Sequence, residues 1–203
     1  MKKLLLFILF ISISFSIFPC ERVGHFDFEV KNSSGERLYW GCYDAVNRGP
    51  HVTEYVLTAE RAKATGVPRP SATFTQIRDG GILQRVLQNN GFSLPAHSDF
   101  TNSGYDRGHM APNADFNDTA ENALLTFFIA NVWPQTPRVN RSVWLVTENE
   151  GRRLAVQHGE VRVVITVEEF GGKIGRNVSV PISFTKTIYS RDVIVYTVTV
   201  INE

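Results

Sequence analysis

From Val161 onward the chain has little choice of secondary structure. The runs "VRVVITVEEF", "NVSVPISFTKTIYS" and "DVIVYTVTVINE" are rich in residues branched at Cβ and partly alternate apolar with polar, with Gly171-Gly172 and a Ser190-Arg191-Asp192 turn between them. Cβ-branched side chains are stiff and fit a pleated surface better than a helix. The C-terminal part is therefore predicted to form three strands of an antiparallel layer. Earlier, "HFDFEVKNSSGERLYW" alternates in the same way around Ser33-Ser34-Gly35 and reads as a hairpin, and "TEYVLTAE" reads as another short strand.

Two segments break this pattern. "NDTAENALLTFFIAN" opens with Asp118 and places Glu121 three positions later, ahead of an apolar run, which predicts a capped helix ending before Pro134. "NRSVWLVTENEGRRLAVQ", Asn140 to Gln157, is the most helix-like stretch, and Asn140, Trp144, Glu148 and Arg152 recur on one face of it. Between strands and helices, "VPRPSATFTQIRDGG" carries two prolines and two glycines around Arg69 and Arg78 and is predicted to be an ordered loop. With 203 residues, 43% of them hydrophobic and 11% aromatic, the chain can bury one ordinary core. No internal repeat and no second domain boundary is visible, so residues 17–203 are expected to form one domain.

The opening "MKKLLLFILFISISFS" sets two lysines before a short apolar run ending in small residues, the pattern of a secretory signal peptide over residues 1–16. An uncleaved anchor is the alternative, and Pro19 argues against lipidation at Cys20. Removing those residues takes away Lys2 and Lys3 and no acid, which lowers the formal charge from +1 to −1. No membrane span is then expected in the mature chain, and a polyanion would have to be bound by a local basic cluster. Secretion or periplasmic export would allow Cys20 and Cys42, the two cysteines present, to form a disulfide worth about 3 kcal/mol in loop entropy.

The chemistry concentrates in "GYDRGHMAP", Gly104 to Pro112. Histidine titrates near neutral pH and is the natural general base, although one histidine beside charges is by itself compatible with an ordinary surface residue. The Asn140 helix offers a second polar set: a carboxamide, the Glu148 carboxylate and the Arg152 guanidinium. By spacing alone, Glu148 and Arg152 could equally form a solvated ion-pair ladder.

In "DRGHMAP", "ANVWPQTPRVN" and the Trp144, Glu148, Arg152 spacing, the chain resembles the DNA/RNA non-specific endonucleases of the ββα-metal type. The resemblance covers about Pro68 to Val156, with a looser echo in "VPISFTKTIY". It implies an α+β, ββα-metal (His-Me finger) fold with a central antiparallel sheet flanked by helices. It implies His109 as general base and Asn140 as the only direct protein ligand of a magnesium ion, with manganese as a substitute. Glu148 would hold waters around that ion, and Arg107, Arg152 and Arg69 would contact or orient the phosphate. Asn131 would be close to the substrate, in a supporting role. DNA and RNA are the implied substrates, and an inhibitor protein is a possible partner. The chain departs from the family pattern after the helix, where "VITVEEF" replaces a glycine-containing stretch.

Phosphodiester hydrolysis needs a base for water, positive charge on the non-bridging oxygens and a group to take charge on the leaving 3′ oxygen. A hydrated magnesium ion and an arginine supply the last two. Nothing in this set reads a base edge, so little dependence on sequence is expected. A catalytically silent nucleic-acid-binding module would account for the arginines but not for His109 with Asn140. A structural or adhesion domain would account only for the strands, and no G-x-S-x-G elbow supports a serine hydrolase.

Overall fold

The computed structural model describes residues 20–64, 66–71, 74 and 80–203. The expected signal peptide lies outside the described residues, as does most of the stretch from Ala72 to Asp79. Strands β1 (His25–Lys31), β2 (Arg37–Asp44), β3 (Gly49–Thr58), β6 (Glu160–Thr166), β9 (Ser183–Ser190) and β10 (Val193–Ile201) form one six-stranded sheet in the order β1-β2-β3-β6-β9-β10. Each neighbouring pair is antiparallel.

The register explains the core. Val30, Tyr39, Tyr55, Val163 and Ile188 stand in one row across five strands. All are buried, and because side chains alternate along a strand, every second residue on either side of that row joins the same face. Helix α4 (Trp144–His158) lies on this face, with Trp144 against Phe184 at 5.6 Å between ring centres and Gly151 set close to Ile188. Gly159, at φ +84°, ends the helix in a conformation that a side chain would strain.

The early hairpin and the C-terminal layer form as expected, β1 with β2 and β6 with β9 and β10. The long run from Asn177 to Ser190 is divided at Ile182, however. Its first part, β8 (Val178–Pro181), leaves the main sheet and pairs with β7 (Phe170–Ile174). Two helices, α1 (Ala59–Lys63) and α2 (Gly80–Asn89), add to the expected elements; Ile82, Leu83, Val86 and Leu87 recur at helical spacing in α2, which begins at Gly80-Gly81 in the last part of the predicted loop.

Helix α3 (Ala120–Leu125) is shorter than expected and starts one residue later. Thr119 is its N-cap, accepting from the Asn122 N–H at 3.1 Å. Asp118 is drawn instead to Arg61 at 3.0 Å, and Glu121 reaches across to accept from the Ser33 backbone N–H and hydroxyl at 2.7 and 2.8 Å. Long-range partners thus displace the local capping box.

Cys20 and Cys42 are bridged, with 5.5 Å between their Cα atoms. The bridge lies on the opposite face of the sheet, beside Val52, Val164 and Tyr189. Among the described residues no helix is long and apolar enough to cross a membrane.

Candidate active site

Strand β4 (Asp106–His109) pairs antiparallel with β5 (Val132–Gln135), and the chain then enters α4 through a π turn at Val139–Val143. The "DRGH" motif is therefore the first strand of a β-β-α unit. Gly108 is needed because a Cβ there would collide with the Gln135 side chain of the partner strand. Alternation sends Arg107 and His109 to one side of β4 and Asp106 to the other.

His109 is 7% exposed, with its ring 4.9 Å from that of Phe74 and 5.3 Å edge-on from that of Phe127. Burial, with the Arg69 guanidinium nearby, pushes its pKa down to about 3, so the imidazole is neutral at working pH. Among the described residues its Nε2 is buried without a partner, an atom placed to take a proton from something that enters the site. Behind it, Asn131 is fully buried. Its Oδ1 accepts from the Ala111 N–H at 2.8 Å, and its Nδ2 donates to the carbonyls of Ala111 and Thr126, both at 2.9 Å. With no exposed surface to offer a substrate, Asn131 acts as the brace of the turn that follows His109, and its expected place beside the substrate is corrected accordingly.

Asn140 sits in the π turn, a widened helical turn that often marks a functional position. Its Nδ2 donates to Asp106 Oδ2 at 3.0 Å, and Arg141 binds both oxygens of the same carboxylate at 2.8 and 2.7 Å. These bonds, Arg141 foremost, hold the Asp106 carboxyl below the usual carboxylate range. An ionised carboxylate only accepts, so it fixes the Asn140 amide with its nitrogen toward Asp106 and its oxygen away from it.

The Glu148–Arg152 ladder does not form. Arg152 donates to Asp115 Oδ1 at 2.6 Å and to Asn149 Oδ1 at 2.6 Å, and the other Asp115 oxygen accepts from the Tyr55 hydroxyl at 2.9 Å. Asp115 is 1% exposed, so Arg152 is committed to an interior partner. Glu148 makes no such pair among the described residues. Burial pushes its pKa above the usual carboxylate range, with Lys186 the main opposing charge. Arg107 donates to the His97 carbonyl at 2.7 Å and lies over the Phe100 ring, and Arg69 lies over the Phe127 ring.

A cavity of about 430 Å³ gathers Arg69, Arg107, His109, Asn140 and Glu148 on one wall system, from three separate parts of the chain. Arg152 and Asn131 are not on its surface. Arg141 is, and so is Asn117; neither was singled out from the sequence. Arg141 directly follows the proposed metal residue, and Asp106 opens the motif, so both had a signal in position though none in residue type. A larger cavity of about 800 Å³ beside β1 and β2 contains none of the motif residues.

The oxygens of a neutral carboxamide and a carboxylate, with no thiolate near, suit a hard, hydrated cation such as magnesium. Among the described residues no three His, Cys, Asp or Glu side chains cluster to hold a metal, so a multi-ligand cage is not formed there. A single oriented carboxamide facing a polar cavity fits an ion that keeps most of its waters.

The chain is similar to a nuclease of Nostoc sp., 40% identical over 94 residues, which is 46% of this chain and 34% of the relative. It is also similar to human mitochondrial endonuclease G, 29% identical over 160 residues, 72% of this chain and 50% of the relative. The chain thus spans half or less of the length of these two relatives. A chain in the crystal structure of the EndoG/EndoGI complex superposes with a TM-score of 0.68 and 27% identity, over 86% of this chain and 74% of that one. This likeness agrees with the mixed fold and its large antiparallel sheet, and the β4-β5-α4 unit is the ββα element of such nucleases. The sequence profile of DNA/RNA non-specific endonucleases matches residues 25–202, and the chain belongs to that family.

Proposed function

We propose that this chain is an exported, magnesium-dependent endonuclease that hydrolyses phosphodiester bonds of DNA and RNA with little regard to sequence. The observation that carries the reading is the meeting of His109, Arg69 and Arg107 with Asn140 and Glu148 around one cavity. The family membership and the nuclease names of the relatives support the reaction class. The Cys20–Cys42 bridge supports an oxidising compartment, and with it the reading of residues 1–16 as a leader.

In the proposed reaction a phosphate of the substrate lies between the arginines and His109. Arg69 and Arg107 face its non-bridging oxygens with guanidinium groups, charge-assisted donors suited to a phosphate. Neutral His109 takes a proton from the attacking water through Nε2. Burial is the main reason that His109 is weakly basic and the Arg69 cation a lesser one; the anionic phosphate arriving beside Arg69 offsets that lesser part, so basicity rises when substrate is present. Asn140 Oδ1 would hold the magnesium ion and the Glu148 carboxylate the waters around it; when bound, the ion supplies positive charge for the phosphate and for the leaving 3′ oxygen. Manganese would be accepted by the same oxygen donors. Arg152 fixes Asp115 beneath the site, so its part in phosphate binding is indirect. The EndoG structural relative was solved in a complex titled for EndoG inhibition, which makes a protein inhibitor a reasonable partner to seek for this chain as well.

Purified protein incubated with supercoiled plasmid and with structured RNA, in magnesium and in excess chelator, tests the reading. Loss of both substrates in magnesium and of neither in chelator is expected. Tight binding without cleavage would instead make the chain a nucleic-acid-binding module.

A further inference from the structure

A second hollow, of about 480 Å³, opens beside the catalytic cavity. The loop from His97 to Tyr105 forms one side of it, and Asp106, Arg107, Pro137 and Arg141 form the other. Arg107 and Arg141 also line the catalytic cavity, so the two hollows share a wall of guanidinium groups. The proposed reaction uses the catalytic side of that wall and leaves the other side without a task.

The loop that faces the wall is held at both ends. Its first turn, His97–Phe100, is anchored by Asp99, which is 4% exposed. Asp99 Oδ2 accepts from the Ala96 N–H at 2.7 Å, and Oδ1 accepts from the Arg176 N–H and Nε at 3.1 and 3.0 Å. Arg176 lies in the turn between β7 and β8, directly after Gly175, where a Cβ would strike the Asp99 backbone. At the far end, Ser103 Oγ donates to the Phe100 carbonyl at 2.8 Å and accepts from the Tyr105 N–H at 3.2 Å, while Asn102 and Gly104 turn the chain at φ +56° and +83°. These bonds shape the hollow in the absence of any ligand, which lowers the cost of ordering it around one.

The wall carries more positive than negative charge. Arg141 gives Nε and Nη2 to Asp106, and its side chain is 68% exposed; among the described residues its Nη1 has no partner. Arg107 has no carboxylate partner among the described residues. Its Nη2 donates to two neutral oxygens, the His97 carbonyl at 2.7 Å and the Thr101 hydroxyl at 3.4 Å, and its Nε is buried without a partner. One carboxylate thus faces two guanidinium groups whose remaining donors suit an anion. We infer that the second hollow is a subsite for the nucleotide next to the cleaved link, with the neighbouring phosphate of the same strand against Arg141. A strand whose scissile phosphate lies between Arg69, Arg107 and His109 carries a further phosphate one nucleotide away, and the shared wall leads from one hollow to the other. Contact with a phosphate positions the strand and reads no base, in keeping with cleavage that ignores sequence. The subsite deepens the proposed nuclease reading and rests on it for its role.

The test uses a thymidine oligonucleotide in which one internal link is a neutral methylphosphonate. Wild-type protein in magnesium should spare that link and cut the adjacent link on one side about tenfold more slowly than in the unmodified strand, the loss expected of one charge-assisted contact. In Arg141→Met this neighbouring deficit should shrink to within about twofold. The deficit compares the same link in two strands cut by the same protein, so any change in magnesium binding on loss of the Arg141–Asp106 pair cancels. Normal cutting of both adjacent links by wild type, or an unchanged deficit in Arg141→Met, overturns the inference. If Arg141→Met does not fold, Asn102→Asp decides. Asn102 is exposed on the hollow, and aspartate tolerates its left-handed backbone. The added anion should reduce the deficit at least about threefold at low salt, and no reduction overturns the inference. A wild type that cleaves nothing refutes the nuclease reading but leaves the subsite to be read by binding. In chelator, thymidine 3′,5′-bisphosphate should shift the Asn102 and Gly104 amide resonances and bind about tenfold more tightly than thymidine 5′-monophosphate, with the difference lost in Arg141→Met. Equal binding of the two nucleotides by wild type overturns the inference.

Discussion

The Asn140 amide nitrogen donates to Asp106 Oδ2 at 3.0 Å, and this contact joins the first residue of the β4 motif to the π turn that opens α4. It sets which end of the carboxamide faces the cavity. Asp106→Asn removes the charge that dictates that orientation. The magnesium concentration giving half-maximal plasmid cleavage should then rise about 10–100-fold, the usual cost of losing a group that orients a ligand. The maximal rate should change far less. An unaltered magnesium requirement would show that Asn140 is not oriented for the ion.

Asn131 makes three hydrogen bonds to backbone in a fully buried setting. Asn131→Ala leaves the Ala111 N–H and the Ala111 and Thr126 carbonyls without that partner and is predicted to destabilise the protein by roughly 3 kcal/mol. Urea unfolding of the two proteins measures this, and a loss below about 0.5 kcal/mol, the level of a surface change, would contradict the bracing role.

His109 and Glu148 drive stability in opposite directions with pH. The folded His109 pKa is about 3, below the unfolded value of 6.5, so the unfolded chain binds a proton that the folded one does not. Its contribution is complete above pH 6.5 and is lost as pH falls toward 3. Glu148 is raised by burial, so its contribution is complete below the ordinary glutamate range and is lost as pH rises through its folded value. Unfolding free energies across this range should therefore show a shallower acid loss for His109→Ala than for wild type, and a shallower loss toward neutrality for Glu148→Gln. Parallel curves for all three proteins would contradict both assignments.

The Cys20–Cys42 bridge closes a loop of sequence separation 22. Protein purified without reductant should show no reactive thiol, and reduction should cost about 3 kcal/mol of stability. Two free thiols in the unreduced protein would rule the bridge out.

Much of this arrangement is legible in the sequence, for physical reasons that differ by element. β10 announces itself because Val193 to Ile201 is almost wholly β-branched. The α4 helix does so because its pattern runs through four turns. The start of α3 falls one residue later than the capping pattern predicts because Arg61 and Ser33, distant in the chain, take the side chains that a local capping box would use. In the site, His109, Asn140 and Glu148 are named through the family resemblance of their motifs, since spacing alone leaves Glu148 open to an ion pair with Arg152. Arg152 was named too, but Asp115, 37 positions away, decides where its guanidinium goes. Alternation places Lys186 on the face of Phe184 and Ile188, but that its ammonium stays buried there against Thr147 and Trp144 is visible only in the structure.

The most direct test of the central claim is the single-turnover cleavage rate of His109→Ala on plasmid at saturating magnesium. The proposed chemistry predicts a loss of at least about 100-fold, the lower end of general-base catalysis, with substrate binding kept and the protein folded. A folded His109→Ala protein that cleaves at near the wild-type rate would contradict it.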